Sequence, residues 1–250
     1  MMSMRPMTDI AAALIPDFDL TAHNTLALRA RSRFAVMIDQ PALLPALFDY
    51  AATQNLPLRI LGGGSNVVLS SRFDGITALL ALRGRSIVEQ TSQATLIEAA
   101  AGEVWHDLVR WTVNQGVGGL ENLAFIPGTV GAAPVQNIGA YGAELADIFH
   151  SLTAYDRVSG TTLTIDKEDC AFGYRDSTFK RQPNRYVVLS VRLALPQAWT
   201  PNLRFAGLTD LADATELDPQ KVMERVIALR TSKLPDWKVT PNAGSFFQNP

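Results

Sequence analysis

Four stretches of this chain carry residue types that can do chemistry, and each has a plainer reading beside the chemical one. Gly62, Gly63 and Gly64 run into Ser65 and Asn66 in LRILGGGSNVVLS. Successive glycine N–H groups can point into one concavity and hold a phosphate, with Ser65 and Asn66 adding donors; the plainer reading is a hairpin turn. Leu120 to Gly142, LENLAFIPGTVGAAPVQNIGAYG, has one charged residue, Glu121, and is dense in Gly, Ala and Pro. Small residues let backbone approach a flat, rigid object closely, and Gln136, Asn137 and Tyr141 can fix its orientation; a tightly packed structural turn has the same composition. In FGYRDSTFK, Arg175 is either the partner of Asp176 in a buried ion pair or an anion clamp on a turn. Ser245, in NAGSFFQNP, is either a well-placed hydroxyl against Phe246 and Phe247 or an ordinary turn residue.

Other charged groups are open to the same double reading. Arg29, Arg31 and Arg33 fit a solvated edge strand or cationic support for a phosphate. Arg230 and Lys233 fall at the end of a helix, where cations are favoured, or reach an anionic ligand. His106 has no second His or carboxylate at ligand spacing, so no metal site is expected.

The elements that must position these residues follow from periodicity. Pro41 to Asn55, Gly102 to Gln115 and the segment opened by Asp218-Pro219 read as amphipathic helices. Strands are expected on both sides of the glycine turn, at Thr77–Leu82, Ser86–Gln90, Thr95–Ala101 and Tyr186–Leu195, with a hairpin around Ser159-Gly160. Ala143 to Phe149 suits a short helix, and 196–217 leans to loop. No G-x-G-x-x-G opens a helix and no G-x-x-x-x-G-K-[ST] is present, which argues against Rossmann and P-loop folds.

The totals narrow the class. The chain has 250 residues, 47% of them hydrophobic, and net charge −2. That balance gives no broad nucleic-acid surface. No apolar run is long enough to span a membrane, and the first 20 residues read as neither signal nor anchor. The one cysteine, Cys170, excludes an internal disulfide. A cytoplasmic monomer is expected.

Taken in order, LGGGSN, ENLAFIPGTVGAAPVQNIGAYG, FGYRDSTFK, RTSKLPD and NAGSFFQNP resemble the UDP-N-acetylenolpyruvoylglucosamine reductase family of flavoenzymes, from about His23 to Pro250. The glycine loop alone points only to the wider vanillyl-alcohol oxidase type of FAD fold. The resemblance implies an α+β architecture. Residues 1–20 read from the sequence itself as a loose N-terminal extension; by the resemblance, 21–196 would be a two-subdomain FAD-binding region and 197–250 the start of a substrate-binding domain. It also implies that Gly62, Gly63, Gly64, Ser65 and Asn66 hold the FAD pyrophosphate. Pro127, Gly128, Thr129, Gly131, Ala132, Gln136, Ile138 and Gly139 would lie along the flavin and its linker. Arg175 and Ser245 would be catalytic, and Tyr141, Tyr174, Lys233 and Asn249 would contact UDP-sugar or nicotinamide. The implied reaction uses non-covalent FAD and NADPH to reduce an enolpyruvyl ether, with Arg175 stabilising the developing enolate and Ser245 giving the proton.

Two departures stand out. Phe205 and Ala206 occupy the place where the longer members carry a tyrosine, and the family's C-terminal catalytic glutamate has no counterpart before Pro250. The substrate domain is therefore expected to be incomplete. A flavin oxidase of the same superfamily and a non-catalytic FAD-binding module are the competing readings, which reduction of the flavin by NADPH would separate from the reductase.

Overall fold

The computed structural model describes residues 10–244. Helix α1 (Ile10–Ala13) leads into β1 (Ile15–Asp19), β2 (Arg31–Ile38), α2 (Leu43–Thr53), β3 (Leu58–Leu61) and β4 (Arg72–Leu80). These strands form one sheet in the order β1-β2-β4-β3, parallel except for the β1/β2 pair. Ile76 to Leu79 of β4 are all buried, as expected for a strand covered on both faces by its neighbours' crossovers.

The chain then builds β5 (Arg85–Gln90), β6 (Ala94–Ala100), α3 (Trp105–Asn114), a short β7/β8 pair (Gly139–Ala140, Ala143–Glu144), α4 (Leu145–Ile148), β9 (Phe149–Asp156) and β10 (Thr161–Asp166). Two short helices, α5 (Lys167–Cys170) and α6 (Thr178–Arg181), precede β11 (Tyr186–Pro196) and the long α7 (Pro219–Lys233). The second sheet is antiparallel throughout, in the order β10-β9-β11-β6-β5. Edge strand β5 is mostly exposed and carries Arg85 and Glu89, which discourages pairing with another chain. One apolar core runs through both sheets, α2, α3 and α7.

Helix α3 buries Trp105, Leu108, Val109, Thr112 and Val113, a stripe at helical spacing. Each large side chain so buried contributes about 1.5–3 kcal/mol. Helix α7 starts where expected: the Asp218 carboxylate accepts the Lys221 N–H at 2.7 Å, and Pro219 occupies the first turn.

Three expectations need correction. Residues 15–19 are not part of a loose extension, because β1 pairs with β2 and Asp17 and Asp19 form ion pairs with Arg31. That pairing, with Arg33 on Asp74, also assigns the basic cluster to a solvated face rather than to a phosphate, and makes β2 an inner strand. The segment after the glycine turn is not a strand. Because β3 and β4 are parallel, residues 62–71 must carry the chain back along the sheet, which excludes a hairpin. Leu69 pins this return in a small cluster with Leu20, Ala30, Leu61 and Leu79.

Candidate functional site

The glycine loop and the charge-poor stretch interlock. A Cβ on Gly63 would lie 2.8 Å from Gly128 Cα, one on Gly62 2.6 Å from Thr129 Oγ1, and one on Gly128 2.8 Å from Ser65 Oγ. The Ser65 hydroxyl donates to Pro127 O at 3.2 Å, and Asn66 Nδ2 donates to Gln136 Oε1 at 2.8 Å. Gly64, at φ +63°, lies under the backbone of His23 and Asn24, and its carbonyl accepts the Thr25 N–H. Glycine is therefore required here for loop-to-loop approach.

From the other side, Trp105 N–H donates to Gly128 O, Val130 N–H to Glu103 O and Gly131 N–H to Ala101 O. The Trp105 indole N–H donates to Leu123 O at 2.9 Å. The pocket stretch is thus seated on the end of β6 and the start of α3.

Two observations bear on whether this junction suits a diphosphate-bearing cofactor. Thr129 Oγ1 is buried without a hydrogen-bond partner. Among the described residues, no acceptor takes the amides of Gly63, Gly64, Ser65 or Asn66. Unpaired donors on a glycine-rich loop are what an anionic ligand satisfies, so the residues present fit FAD.

A second group centres on Arg175. Gly173 and Asp176 exchange backbone hydrogen bonds across a tight turn, which puts Arg175 in the left-handed region at φ +53°. Asp176 pairs with Arg181, not Arg175. The Arg175 guanidinium donates to Gly139 O at 2.7 Å and forms no ion pair with a carboxylate among the described residues. Asn137, buried and left-handed at φ 43°, fixes this turn. Its Nδ2 donates to Gly173 O and Glu144 Oε2, and its Oδ1 accepts the Ala146 N–H.

Arg175 lines a cleft of about 840 Å³ with Gly139, Tyr141, Tyr174, Asn202 and Phe205 among its walls. Buried Asn122 ties those walls together by donating to both Tyr141 O and Asn202 O at 2.8 Å. Tyr141 meets Phe205 edge to face at 4.8 Å, and Lys233 Nζ lies 5.5 Å from the Phe205 ring centroid. Burial pushes the Tyr141 phenol up, opposed by the charge of Arg230. Burial lowers the Arg230 pKa as well, and its Nε has no partner.

The expected residues therefore fall into two groups joined at Gly139. Gly62 to Asn66 interlock with Pro127 to Gln136, while Tyr141, Tyr174, Arg175 and Lys233 gather at or beside the cleft. Ser245 and Asn249 lie outside the described residues. Asn122 was missed by sequence reasoning and Asn137 was read only as a polar contact; their buried amides have no signal in residue type or spacing. The Nδ1 of His106 accepts the Phe125 N–H, and no group of three or more His, Cys, Asp or Glu side chains placed to hold a metal occurs among the described residues.

Residues 33–166 match the FAD binding domain family. The chain is 47% identical over 251 residues to the UDP-N-acetylenolpyruvoylglucosamine reductase of Burkholderia cenocepacia (strain HI2424), covering 98% of this chain and 72% of that protein. It is similar in structure to UDP-N-acetylenolpyruvylglucosamine reductase from Thermus caldophilus, with TM-score 0.66 and 22% identity over 95% of this chain and 75% of that one. A VAO-type flavoprotein from Myceliophthora thermophila shares the fold at TM-score 0.51 and 17% identity, over 75% of this chain and 38% of that one.

Proposed function

Because this chain belongs to the UDP-N-acetylenolpyruvoylglucosamine reductase family, we propose that its interlocked loops and its arginine-lined cleft form the cofactor-holding and substrate-holding halves of one reductase site. The protein is an FAD-dependent oxidoreductase of peptidoglycan precursor synthesis, reducing the enolpyruvyl ether of UDP-N-acetylglucosamine to UDP-N-acetylmuramate. The observation that carries the division of labour is Arg175, a half-buried cation on the cleft with no ion-pair partner among the described residues.

When bound, FAD supplies hydride transfer between NADPH and the enolpyruvyl double bond. The amides of Gly63, Gly64, Ser65 and Asn66 hold its diphosphate, with the Thr129 hydroxyl as a further donor. Pro127, Gly128, Gly131, Ala132, Gln136, Ile138 and Gly139 line the rest of the cofactor without covalent attachment. Arg175 binds the substrate carboxylate and stabilises the negative charge that builds there, acting where charge appears in the transition state. Its two backbone acceptors at Asn137 and Gly139 orient the guanidinium without neutralising it. Ser245 gives the proton to the carbon beside that carboxylate. Tyr141, Tyr174, Lys233 and Asn249 take the UDP-sugar or nicotinamide, with Phe205 supplying an apolar wall between Tyr141 and Lys233.

In this reading residues 21–196, with β1 paired onto their first sheet, are the FAD-binding region, 197–250 begin the substrate domain, and the protein works as a cytoplasmic monomer without nucleic acid or membrane. No helix among the described residues is long and apolar enough to cross a membrane. The test is a pair of anaerobic half-reactions. NADPH should bleach the bound flavin, and the enolpyruvyl UDP-sugar should restore its colour. Bleaching followed by reoxidation with oxygen but not with that substrate would favour an oxidase, and no bleaching would favour a binding module.

A further inference from the structure

His106 is the second residue of α3 and takes no part in the chemistry above, yet it holds the entrance to the cofactor-holding segment. Its Nδ1 accepts the backbone N–H of Phe125 at 3.1 Å. An N–H can donate only to a bare ring nitrogen, so the imidazole is neutral with its proton on Nε2. Phe125 stands in the left-handed region at φ 59°, a conformation that costs a bulky residue energy and persists only where its surroundings impose it. The His106 and Phe125 rings also meet edge to face at 5.4 Å. The preceding residue of the helix, Trp105, binds Leu123 O through its indole and Gly128 O through its amide. Three hydrogen bonds from the first two residues of α3 thus set the path from Leu123 to Gly128, and one of them depends on a titratable group.

The surroundings of His106 disfavour its cation. Burial is the main cause, followed by Arg110 on α3 itself; Lys238 and Arg230, from α7 and the segment after it, act the same way, and Asp107 opposes them. Together they hold the imidazole below its usual 6.5. A depressed histidine is neutral, and its hydrogen bond intact, at neutral pH; the bond is lost as pH falls through the lowered value.

We propose that His106 is a positioning residue: as a neutral imidazole it locks the Phe125–Thr129 segment in the shape that receives the cofactor, and acidification releases that lock. The proposal rests on the assignment of FAD to this segment. The site would accordingly give up cofactor affinity in acid without any change at the groups that touch the cofactor.

The test compares the parent chain with His106→Asn and His106→Leu. Asparagine puts an acceptor oxygen near the place of Nδ1 and does not titrate. FAD affinity is read from flavin fluorescence from pH 7.5 down to the onset of acid unfolding, and hydrogen exchange at the Phe125 amide is followed over the same range, corrected for its intrinsic pH dependence. Loss of one neutral hydrogen bond is worth about fivefold to tenfold. The parent should lose about that factor in FAD affinity on acidification, His106→Leu should be weakened by it already at pH 7.5, and His106→Asn should be flat with pH. A parallel fall in His106→Asn would overturn the proposal, as would parent-like affinity in His106→Leu. If His106→Leu does not fold, the pH profile of His106→Asn decides alone. Protection of Phe125 in the parent must also fall below pH 6.5; constant protection sinks the lock whatever FAD does. If protection titrates but the parent binds no FAD at pH 7.5, the lock stands and the cofactor assignment fails.

Discussion

Replacing Gly63 by alanine adds one methyl group and tests whether the interlocked loops hold the cofactor. The new Cβ would stand 2.8 Å from Gly128 Cα, 3.2 Å from Gly128 C and 3.5 Å from Thr129 N. Carbon atoms prefer about 3.5–4.0 Å, so the closest approach falls short by roughly 0.7 Å or more. These three nearest atoms are all backbone, so the clash is not relieved by a side chain swinging aside. The loops must part, which strains the Ser65–Pro127 bond at 3.2 Å and the Asn66–Gln136 bond at 2.8 Å. Forcing extra volume into a packed site typically costs about 1–3 kcal/mol. If that cost falls on the bound state, FAD affinity drops by about fivefold to 150-fold. Gly63→Val should lie at or beyond the upper end. Flavin fluorescence gives the dissociation constant, and circular dichroism with thermal melting shows whether the variant folds. A folded Gly63→Ala protein with parental FAD affinity would refute the assignment of this junction to the cofactor.

Other substitutions separate the two halves of the site. Arg175→Ala should leave flavin reduction by NADPH near the parent rate and slow reoxidation by the enolpyruvyl substrate by roughly a hundred- to thousand-fold, the usual effect of removing one donor to a developing charge; stopped-flow traces with the opposite pattern would remove Arg175 from the substrate step. Asn122→Ala leaves the carbonyls of Tyr141 and Asn202 without their 2.8 Å donors, at about 1–3 kcal/mol each. It should raise KM for the UDP-sugar while FAD affinity stays within about twofold of the parent; the reverse would mean that Asn122 serves the cofactor side. Cys170 is buried, and its thiol is pushed up to about 12, chiefly by burial. Because the thiolate is the nucleophile, Cys170 should resist iodoacetamide at pH 8 in the folded protein and react after unfolding in urea; rapid labelling of the native chain would contradict its placement.

What was legible in the sequence was whatever depends on period and local backbone chemistry. The apolar stripe of α3, the Asp218-Pro219 start of α7 and the Ser159-Gly160 hairpin have local causes, and the structure places the last two as read; in α3, Trp105, Leu108, Val109 and Val113 are buried as the helical spacing predicts, while Val104, expected on the same face, is an exposed N-cap and Thr112 is buried in addition. Pairing was less legible. LRIL and VVLS look like the two arms of a hairpin, but β3 lies parallel to β4, and whether a glycine turn joins neighbours or begins a return crossing is decided by the rest of the sheet. Arg31 and Arg33 were ambiguous for a similar reason. Their partners Asp17, Asp19 and Asp74 come from other strands, so only tertiary pairing could choose between an ion-paired face and a phosphate site. The choice between an Arg175–Asp176 pair and a free Arg175 turned on Arg181, a third residue that takes the carboxylate.

The same reasoning explains why one segment dominates the site. Between Leu120 and Gly142 the chain must meet the glycine loop, the start of α3, the Gly173–Asp176 turn and the wall near Asn202, all without regular secondary structure longer than one 3-10 run. Backbone buried that way needs partners from elsewhere. Helix α3 supplies them through Trp105 and His106, Ser177 through its bond to Val135 O at 2.6 Å, Arg175 through its bond to Gly139 O, and the stretch itself through Asn122, whose amide donates to Tyr141 O. Its poverty in charge follows from burial: a lysine or glutamate here would need its own partner in a region whose polar capacity is already committed to backbone. Gly131 shows how little slack remains, since a Cβ there would lie 2.5 Å from Ala101 Cβ. A cofactor cradle built this way is rigid on the side seated on α3 and β6. Among the described residues, the amides of Gly63 to Asn66 on its other side find no acceptor, which is why the proposed site assigns the cofactor diphosphate to them.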